Sequence, residues 1–128
     1  MISGVKRIIV DTNALMAITE LGIDVFGVIA SECSFAHKVY VLSGTIGELV
    51  KIRDTQSGAF KTGAKVALQV LAKSGVTVIP SLEDNVDNEL VICSQKGDMV
   101  LTQDRELKKR LVKPYLTIRQ RKRLLVVD

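Results

Sequence analysis

Four short apolar runs separated by helical patterns are the feature that most restricts what this sequence can fold into. The runs are rich in β-branched residues and read RIIV, KVYVL, GVTVI and DMVL, near residues 8–10, 39–42, 76–79 and 99–101. Their apolar residues follow one another instead of alternating with polar ones, which is typical of parallel strands covered on both faces. Two more runs, YLTIR and LLVVD, predict strands close to the C-terminus.

Helical patterns fill the intervals between these runs. They read ALMAITELG, DVFGVIASE, TIGELVKIR, AFKTGAKVALQVLAKSG, NVDNELVICSQKG and DRELKKRLV. The longest has an apolar stripe at intervals of three and four residues, formed by Phe60, Ala64, Ala67, Leu68 and Leu71. Gly75 predicts its end, and Thr45, with Glu48 three residues later, predicts the N-cap of the helix before it. The polar segment RDTQSGAF between the two helices predicts a mobile loop.

Strands that alternate with helices predict an α/β fold, a three-layer α/β/α sandwich around a central, mainly parallel, twisted sheet. The length of 128 residues, without a repeat or a low-complexity linker, predicts one domain over residues 1–128. No apolar run approaches the roughly 20 residues of a membrane span, and the N-terminus lacks the apolar core of a signal peptide. No membrane association and a cytoplasmic location are therefore expected.

Composition narrows the possible chemistry. The single histidine, His37, and two isolated cysteines, Cys33 and Cys93, provide no pattern for a zinc site or a Ser-His-Asp triad. Aromatic residues make up 4% of the chain, so a row of stacking side chains is not its main device. The net charge of +4 mildly favours a polyanionic partner.

Four acidic residues fall at equivalent places in the predicted sheet. Asp11 ends the first strand and Asp104 follows the fourth. Glu48 and Asp87 lie in the first turns of the helices after the second and third strands. Because open parallel sheets bind ligands at the carboxyl ends of their strands, all four carboxylates are expected to converge on one edge. A divalent cation would relieve their repulsion, and oxygen ligands favour Mg²⁺ or Mn²⁺, with phosphodiester hydrolysis as the chemistry.

Each of these carboxylates also has a purely structural interpretation. Asp11 and Asp104 could be helix N-caps, and Glu48 could close a capping box with Thr45. Asp87, or Asp84 nearby, could be the partner of a helix dipole. The sequence leaves these alternatives open.

The segments IIVDTNALM, TIGELVKI and VDNELVICSQKGDMVLTQDRELKKRL, in this order, resemble a PIN domain, the nuclease module of toxin RNases and ribosomal-RNA processing factors. The resemblance spans essentially the whole chain and is greatest to compact archaeal-type PIN proteins related to small-subunit rRNA-processing nucleases. It implies four catalytic, metal-binding acids: Asp11, Glu48, Asp87 and Asp104. Asn13 and Thr102 match polar residues that support the first and last of these acids, and a homodimer is implied. Related nucleases often have Asp-Asp where this chain has Asp87-Asn88, and the site would be weakened if the second acid were the ligand. The spacing favours Asp87, and Glu89 or Asp84 could contribute through water.

Basic residues near the C-terminus are the predicted RNA contacts: Arg105, Lys108, Lys109, Arg119 and Arg121. Their alternative interpretation is a solvated helix face or the guard of an edge strand. Beside an acidic site, however, cations would offset the repulsion of a phosphate backbone. Single-stranded or looped RNA is the expected substrate, because a rigid duplex does not readily fit into a narrow cleft.

The leading hypothesis is a divalent-metal-dependent endoribonuclease that acts in rRNA or other RNA processing or as a toxin-like RNase. A protein inhibitor or a ribosome-assembly factor would be its protein partner. The alternative, which Asn88 keeps open, is a non-catalytic RNA-binding or scaffold PIN domain. A phosphotransfer protein of the receiver or haloacid type shares the layout, but the DTN motif supplies no second acid.

Overall fold

The computed structural model describes residues 4–128 and contains a six-stranded sheet in the order β3-β2-β1-β4-β5-β6. Its strands are β1 (Lys6–Val10), β2 (His37–Leu42), β3 (Thr77–Ile79), β4 (Met99–Leu101), β5 (Tyr115–Arg119) and β6 (Arg123–Val127). Every neighbouring pair is parallel except β5 and β6, which form an antiparallel hairpin. All six strands were predicted, and the mainly parallel sheet is confirmed.

Six helices connect the strands, one for each helical pattern in the sequence. They are α1 (Thr12–Glu20), α2 (Val25–Glu32), α3 (Ser43–Thr55), α4 (Gly58–Ser74), α5 (Val86–Gln95) and α6 (Arg105–Arg110). Gly75 ends α4 with a positive φ of 72°, a backbone conformation that glycine adopts without strain. No single helix in residues 4–128 is long and apolar enough to cross a membrane; α1 and α2 pass by composition only as a pair bent by 106°.

Two apolar cores, one on each face of the sheet, produce the predicted three-layer α/β/α fold. Along β1, Ile8 and Val10 face the core built with α1, α2, α3 and α4, whereas Ile9 faces the core built with α5 and α6. All three side chains are fully buried. A strand covered on both faces must be apolar at every position, which is the physical reason for the uninterrupted apolar runs in the sequence.

The strand order places the ends of β1 and β4 side by side at the middle of the sheet. The chain moves outward from β1 to β2 and β3, and then returns to place β4 on the other side of β1. Val10 pairs with Leu101 at the ends of the two strands, and the Asp11 N–H donates to the Leu101 carbonyl at 2.9 Å. Such a reversal of strand order opens a crevice beyond the carboxyl ends of the strands.

The start of α3 differs from the prediction. Thr45 is not its N-cap, because α3 begins at Ser43 and buries the Thr45 side chain. Leu42 occupies the cap position and provides no side-chain acceptor. Instead Ser81, in the loop after β3, accepts a hydrogen bond from the Gly44 N–H at 2.8 Å, while the Ser43 hydroxyl accepts from the Ser81 N–H at 2.9 Å. A segment distant in sequence therefore caps α3.

The connection between α3 and α4 also differs from the prediction. The segment RDTQSGAF was expected to be a loop, but α3 continues to Thr55 and α4 begins at Gly58. Only Gln56 and Ser57 separate the two helices. The apolar stripe of α4 starts later than predicted: Ala64, Ala67 and Leu71 are buried, whereas Phe60 is exposed.

The capping role of Ser81 predicts the result of a substitution. Ser81→Ala removes the acceptor for the Gly44 N–H and should lower the free energy of unfolding by about 1 kcal/mol. Ser57→Ala is the matched control, because Ser57 precedes α4 but forms no side-chain cap bond. Urea denaturation should place Ser57→Ala within about 0.5 kcal/mol of the wild type; equal losses for both variants would contradict the cap.

Candidate active site

A cavity of about 510 Å³ lies beyond the carboxyl ends of β1 and β4. Its walls come from five segments of the chain, and its lining residues are Asp11, Thr12, Asn13, Met16, Glu20, Glu48, Lys51, Ile52, Phe60, Asp87 and Asp104. The four acids predicted from the sequence are all among them. The structure thus brings together side chains that are separated by up to 93 positions in the chain, although their assignment as ligands stays a prediction.

Asp11 occupies the most protected position of the four acids. Its side chain is only 4% exposed, and it accepts from the Thr12 N–H at 2.7 Å and from the Thr102 hydroxyl at 2.8 Å. The pKa of Asp11 is raised from 3.8 to about 6, chiefly by burial and to a smaller extent by the charges of Asp87 and Glu48, against the lowering effect of its two hydrogen bonds. Asp11 is therefore an N-cap and also a desolvated carboxylate whose pKa is raised by the charges of two other acids.

A polar network holds Asp11 in this position. The Thr102 side chain is fully buried, and its hydroxyl lies within hydrogen-bonding distance of both Asp11 Oδ2 and Asn13 Oδ1. Asn13 Oδ1 also accepts from the Gln103 N–H at 3.0 Å, and the Thr102 hydroxyl accepts from the Asp104 N–H at 3.0 Å. These bonds tie the start of α1 to the turn after β4, and the role of Asn13 and Thr102 as supports of metal ligands stays a prediction.

The other three acids are more accessible than Asp11. Asp104 is the N-cap of α6, and its Oδ1 accepts from the N–H groups of Glu106 and Leu107. Glu48 is exposed on α3 and accepts a hydrogen bond from the Thr12 hydroxyl, so it does not close the capping box that was considered for it. Asp87 is half-buried in the first turn of α5.

The cavity fits a hard divalent cation in donor chemistry. Its acidic lining supplies only carboxylate oxygens, with no Cys or His side chain among the residues that surround it. The pKa of Asp11 is raised first by burial and, to a smaller extent, by the charges of Asp87 and Glu48, and a bound cation would oppose both effects. Within residues 4–128, however, no group of three or more His, Cys, Asp or Glu side chains has the geometry to hold a metal ion. The fit depends on donor type and charge rather than on a preformed ligand shell.

Six lining residues were not predicted as part of the site: Thr12, Met16, Glu20, Lys51, Ile52 and Phe60. Thr12 contacts Glu48, and Glu20, Lys51 and Phe60 complete the wall formed by α1, α3 and the start of α4. The DTN motif places Thr12 between two predicted residues and could have identified it. Lys51 could have been found three residues after Glu48, about one helical turn away. Phe60 had no such signal, because its spacing matched the buried stripe of α4.

Asn88 and Glu89 point away from the cavity. Asn88 Oδ1 accepts from an Arg110 side-chain N–H at 2.6 Å, which links α5 to α6. Glu89 is buried and accepts from the Leu82 N–H at 2.8 Å, and it lines a different cavity together with Arg7 and Asp98. The expected water-mediated contribution of Glu89 to the acidic site is therefore wrong, and Asp84 is not among the lining residues either.

Three of the predicted RNA-binding residues gather beside Asp104. The pKa of Lys108 is lowered first by burial and then by the charges of Arg105 and Arg119, while Asp104 raises it. We call Arg105, Lys108 and Arg119 the basic cluster. Lys109 lies on the outer side of α6 and pairs with Glu106 at 3.2 Å.

The fifth predicted RNA-binding residue, Arg121, lies apart from the basic cluster. It is exposed in the turn between β5 and β6, where its backbone φ is 63°. Non-glycine residues adopt positive φ values infrequently, so this turn has a defined and slightly strained shape. RNA binding by Arg121 and Lys109 stays a prediction.

Comparison with known proteins identifies the family. A family model described as "PIN like domain" matches residues 8–123, which is nearly the whole chain. The chain belongs to the PIN-like domain family. The resemblance seen in the sequence is thereby confirmed.

Solved structures agree with this PIN-like fold. Twelve chains match, and one of them is the PIN domain endonuclease Utp24. It superposes with a TM-score of 0.74 at 19% sequence identity, covering 94% of this chain and 90% of that one. A search of curated proteins returned no match. At this level of identity, the similarity to Utp24 establishes the fold.

The raised pKa of Asp11 predicts how stability depends on pH in the metal-free PIN-like domain. A carboxyl group with a higher pKa in the folded state stabilises the fold fully below its unfolded pKa, near 4, and this stabilisation is lost as the pH rises through about 6. Asp11→Asn removes the buried charge and should raise the free energy of unfolding at pH 8 by about 1–3 kcal/mol. The gain should vanish near pH 4, as measured by denaturation in EDTA.

Asp24→Asn is the control for this measurement. Asp24 caps α2 through a bond from the Gly27 N–H at 3.0 Å, and its side chain is exposed. Asn and Asp are nearly equal as N-caps, so this variant should change stability by less than about 0.5 kcal/mol. An Asp11→Asn protein that is less stable than wild type at pH 8 would show that the ionised carboxylate does not destabilise the fold.

Proposed function

We propose that this protein is a divalent-metal-dependent endoribonuclease that hydrolyses phosphodiester bonds in single-stranded or looped RNA. One observation carries the proposal: the carboxylates of Asp11, Glu48, Asp87 and Asp104 line a single cavity in a PIN-like domain. A hydrolase of this kind needs oxygen ligands held close together and a surface that admits a phosphate backbone. The similarity in fold to Utp24, a PIN domain endonuclease, supports the same activity here.

The proposed metal ligands are the four acids, with Asp11 as the central one. Bound Mg²⁺ or Mn²⁺ would supply positive charge to the scissile phosphate and lower the pKa of an attacking water. Thr102 orients the Asp11 carboxylate, as hydrogen-bonding partners of metal ligands commonly do, and Asn13 supports the turn after β4 by accepting from the Gln103 N–H. Thr12 orients Glu48 through its hydroxyl group.

The chain's own cations would position the RNA backbone. The basic cluster lies beside Asp104, and Lys51 lines the opposite, α3 side of the cavity. Cations on both sides of an acidic cavity offset the repulsion between the carboxylates and the phosphates of an incoming strand. The RNA would therefore cross the cavity between α6 and α3.

The biological setting is part of the proposal. A role in rRNA or other RNA processing and a toxin-like role are both consistent with a cytoplasmic endoribonuclease that forms a homodimer. The two roles differ in their partners, a ribosome-assembly factor in one case and a protein inhibitor in the other. Growth arrest on expression of the wild type, but not of Asp11→Asn, would favour the toxin-like role.

The ligand assignment predicts the loss of cleavage in four variants. Asp11→Asn, Glu48→Gln, Asp87→Asn and Asp104→Asn should each lower kcat/KM on single-stranded RNA in Mn²⁺ by about 100-fold or more, since loss of even an indirect metal contact costs 10–100-fold. Calorimetry should show weaker Mn²⁺ binding by each variant. Circular dichroism should show that the fold is retained.

Asn88→Asp is the matched control for these variants. It adds a carboxylate at the position where related nucleases have one, but this side chain faces Arg110 and not the cavity. Cleavage should change by less than about threefold. Wild-type protein that binds RNA but neither Mn²⁺ nor Mg²⁺ would reject the nuclease proposal in favour of a non-catalytic RNA-binding PIN domain.

The basic cluster predicts a change in salt dependence. Arg105→Ala and Arg119→Ala should each weaken RNA binding and reduce the slope of log affinity against log salt by about 0.7, the value for one phosphate contact on a single strand. Lys73→Ala, in the last turn of α4 and outside the cavity lining, should leave the slope unchanged. Slopes that are identical in all three variants would exclude the cluster from the RNA interface.

A further inference from the structure

Phe60 stands apart from the other aromatic side chains of this protein. It is 61% exposed, whereas Phe26, Phe35, Tyr40 and Tyr115 are all half-buried. Single exposed apolar side chains are common on protein surfaces and need no explanation by themselves. The location of Phe60 is what distinguishes it, because it lines the cavity that holds the four acids.

The wall around Phe60 combines an aromatic ring with a positive charge. Lys51, on α3, is the one basic residue among the side chains that line the cavity in the described part of the chain. Its side chain is exposed and enters none of the salt bridges found within residues 4–128. An aromatic face beside a free ammonium group matches the two chemical parts of a nucleotide, its base and its phosphate.

Within residues 4–128, no aromatic side chain lines the opposite side of the cavity. There the basic cluster approaches Asp104, and its three members can contact phosphate but offer no ring for a base. A strand that crosses the acids would therefore be held by charge on the α6 side and by charge together with ring contact on the α3–α4 side. Because the two sides differ, a bound strand would be oriented in one direction across the cavity.

We propose that Phe60 stacks on one unpaired base of an RNA strand bound across the acidic cavity, while Lys51 contacts the neighbouring phosphate. This inference deepens the proposed function and rests on it. A base inside a duplex already has a neighbour on each face, so a protein ring can stack only on a base that is unpaired or at an end. Phe60 is thus a specificity-determining residue that selects single-stranded or looped RNA and leaves base identity open.

The test compares removal of the ring with removal of the base. Phe60→Ala and the wild type are assayed on single-stranded RNAs in which one nucleotide at a time around the cleaved bond is replaced by an abasic nucleotide. At one position, the abasic replacement should lower kcat/KM of the wild type by about 5- to 100-fold, the range for loss of one stacked base. Phe60→Ala should cause a similar loss on intact RNA and no further loss on that abasic RNA.

Two further variants serve as controls. Phe60→Trp keeps a stacking ring and should retain most of the wild-type kcat/KM on intact RNA. Leu82→Ala removes a side chain that is 85% exposed but lies outside this cavity, and it should change nothing. Because Phe60 is exposed, Phe60→Ala should unfold at the same temperature as the wild type.

Several outcomes would overturn the stacking role. One is unchanged cleavage of intact RNA by Phe60→Ala; another is a loss that is equally large on every abasic RNA. A third is conversion of a dimer to a monomer by Phe60→Ala in light scattering, since a second copy of the chain would then cover the ring.

A binding measurement separates this inference from the nuclease proposal. Single-stranded RNA that carries 2-aminopurine is titrated in Ca²⁺, and stacking on Phe60 should change its fluorescence in the wild type and in Phe60→Trp but not in Phe60→Ala. If the wild type shows this change without cleaving RNA in Mn²⁺, the nuclease proposal fails and the stacking role stands. If the wild type cleaves RNA but the fluorescence is the same in all variants, only the stacking role fails. If the wild type neither binds nor cleaves RNA, both are rejected.

Discussion

The hydrogen bond from the Thr102 hydroxyl to the Asp11 carboxylate is the interaction on which the rest of the site depends. It joins residues that directly follow β1 and β4, two parallel strands brought together by the reversal of strand order. The same hydroxyl accepts from the Asp104 N–H, so one buried threonine fixes the positions of two acids. Asn13 completes the link through the Gln103 N–H. The carboxylate at the end of β1 is therefore anchored from the neighbouring strand.

The buried Asp11 carboxylate lowers the free energy of unfolding. The Asp11 carboxylate is buried, its hydrogen bonds come from uncharged groups, and its pKa is raised by burial with a further contribution from Asp87 and Glu48. A buried charge without a counter-ion destabilises a protein, and residues held for function often do so. The same desolvation strengthens the attraction between the carboxylate and any cation that enters the cavity. Asp11 thus lowers stability at a position where it would strengthen the binding of a cation.

The sequence was sufficient for the fold because the relevant signals are local. Uninterrupted apolar runs follow from strands with two covered faces, and each acid could be placed because it adjoins the end of a strand or the start of a helix. The parts that could not be predicted depend on contacts between distant segments. Ser81 caps α3 from 37 residues away, and Asn88 is turned toward Arg110 by the packing of α5 against α6. Phe60 keeps the spacing of the buried stripe, yet it lies where α4 extends past the core.

The acidic cavity and the basic cluster adjoin each other at Asp104. Their proximity explains how a protein of net charge +4 can hold an acidic cavity. Burial is the largest cause of the lowered pKa of Lys108, and Arg105 and Arg119 lower it further, just as burial and then Asp87 and Glu48 raise the pKa of Asp11. Each cluster on its own opposes folding. Asp104, which caps α6 and lines the cavity, raises the pKa of Lys108 and so offsets part of the repulsion in the basic cluster. A polyanion would reduce the repulsion in the basic cluster, and a dication would reduce the repulsion among the acids of the cavity. Ligands that bind the folded protein at both sites would therefore increase its stability by mass action. The two ligands would also attract each other across a short distance, which makes their binding mutually favourable.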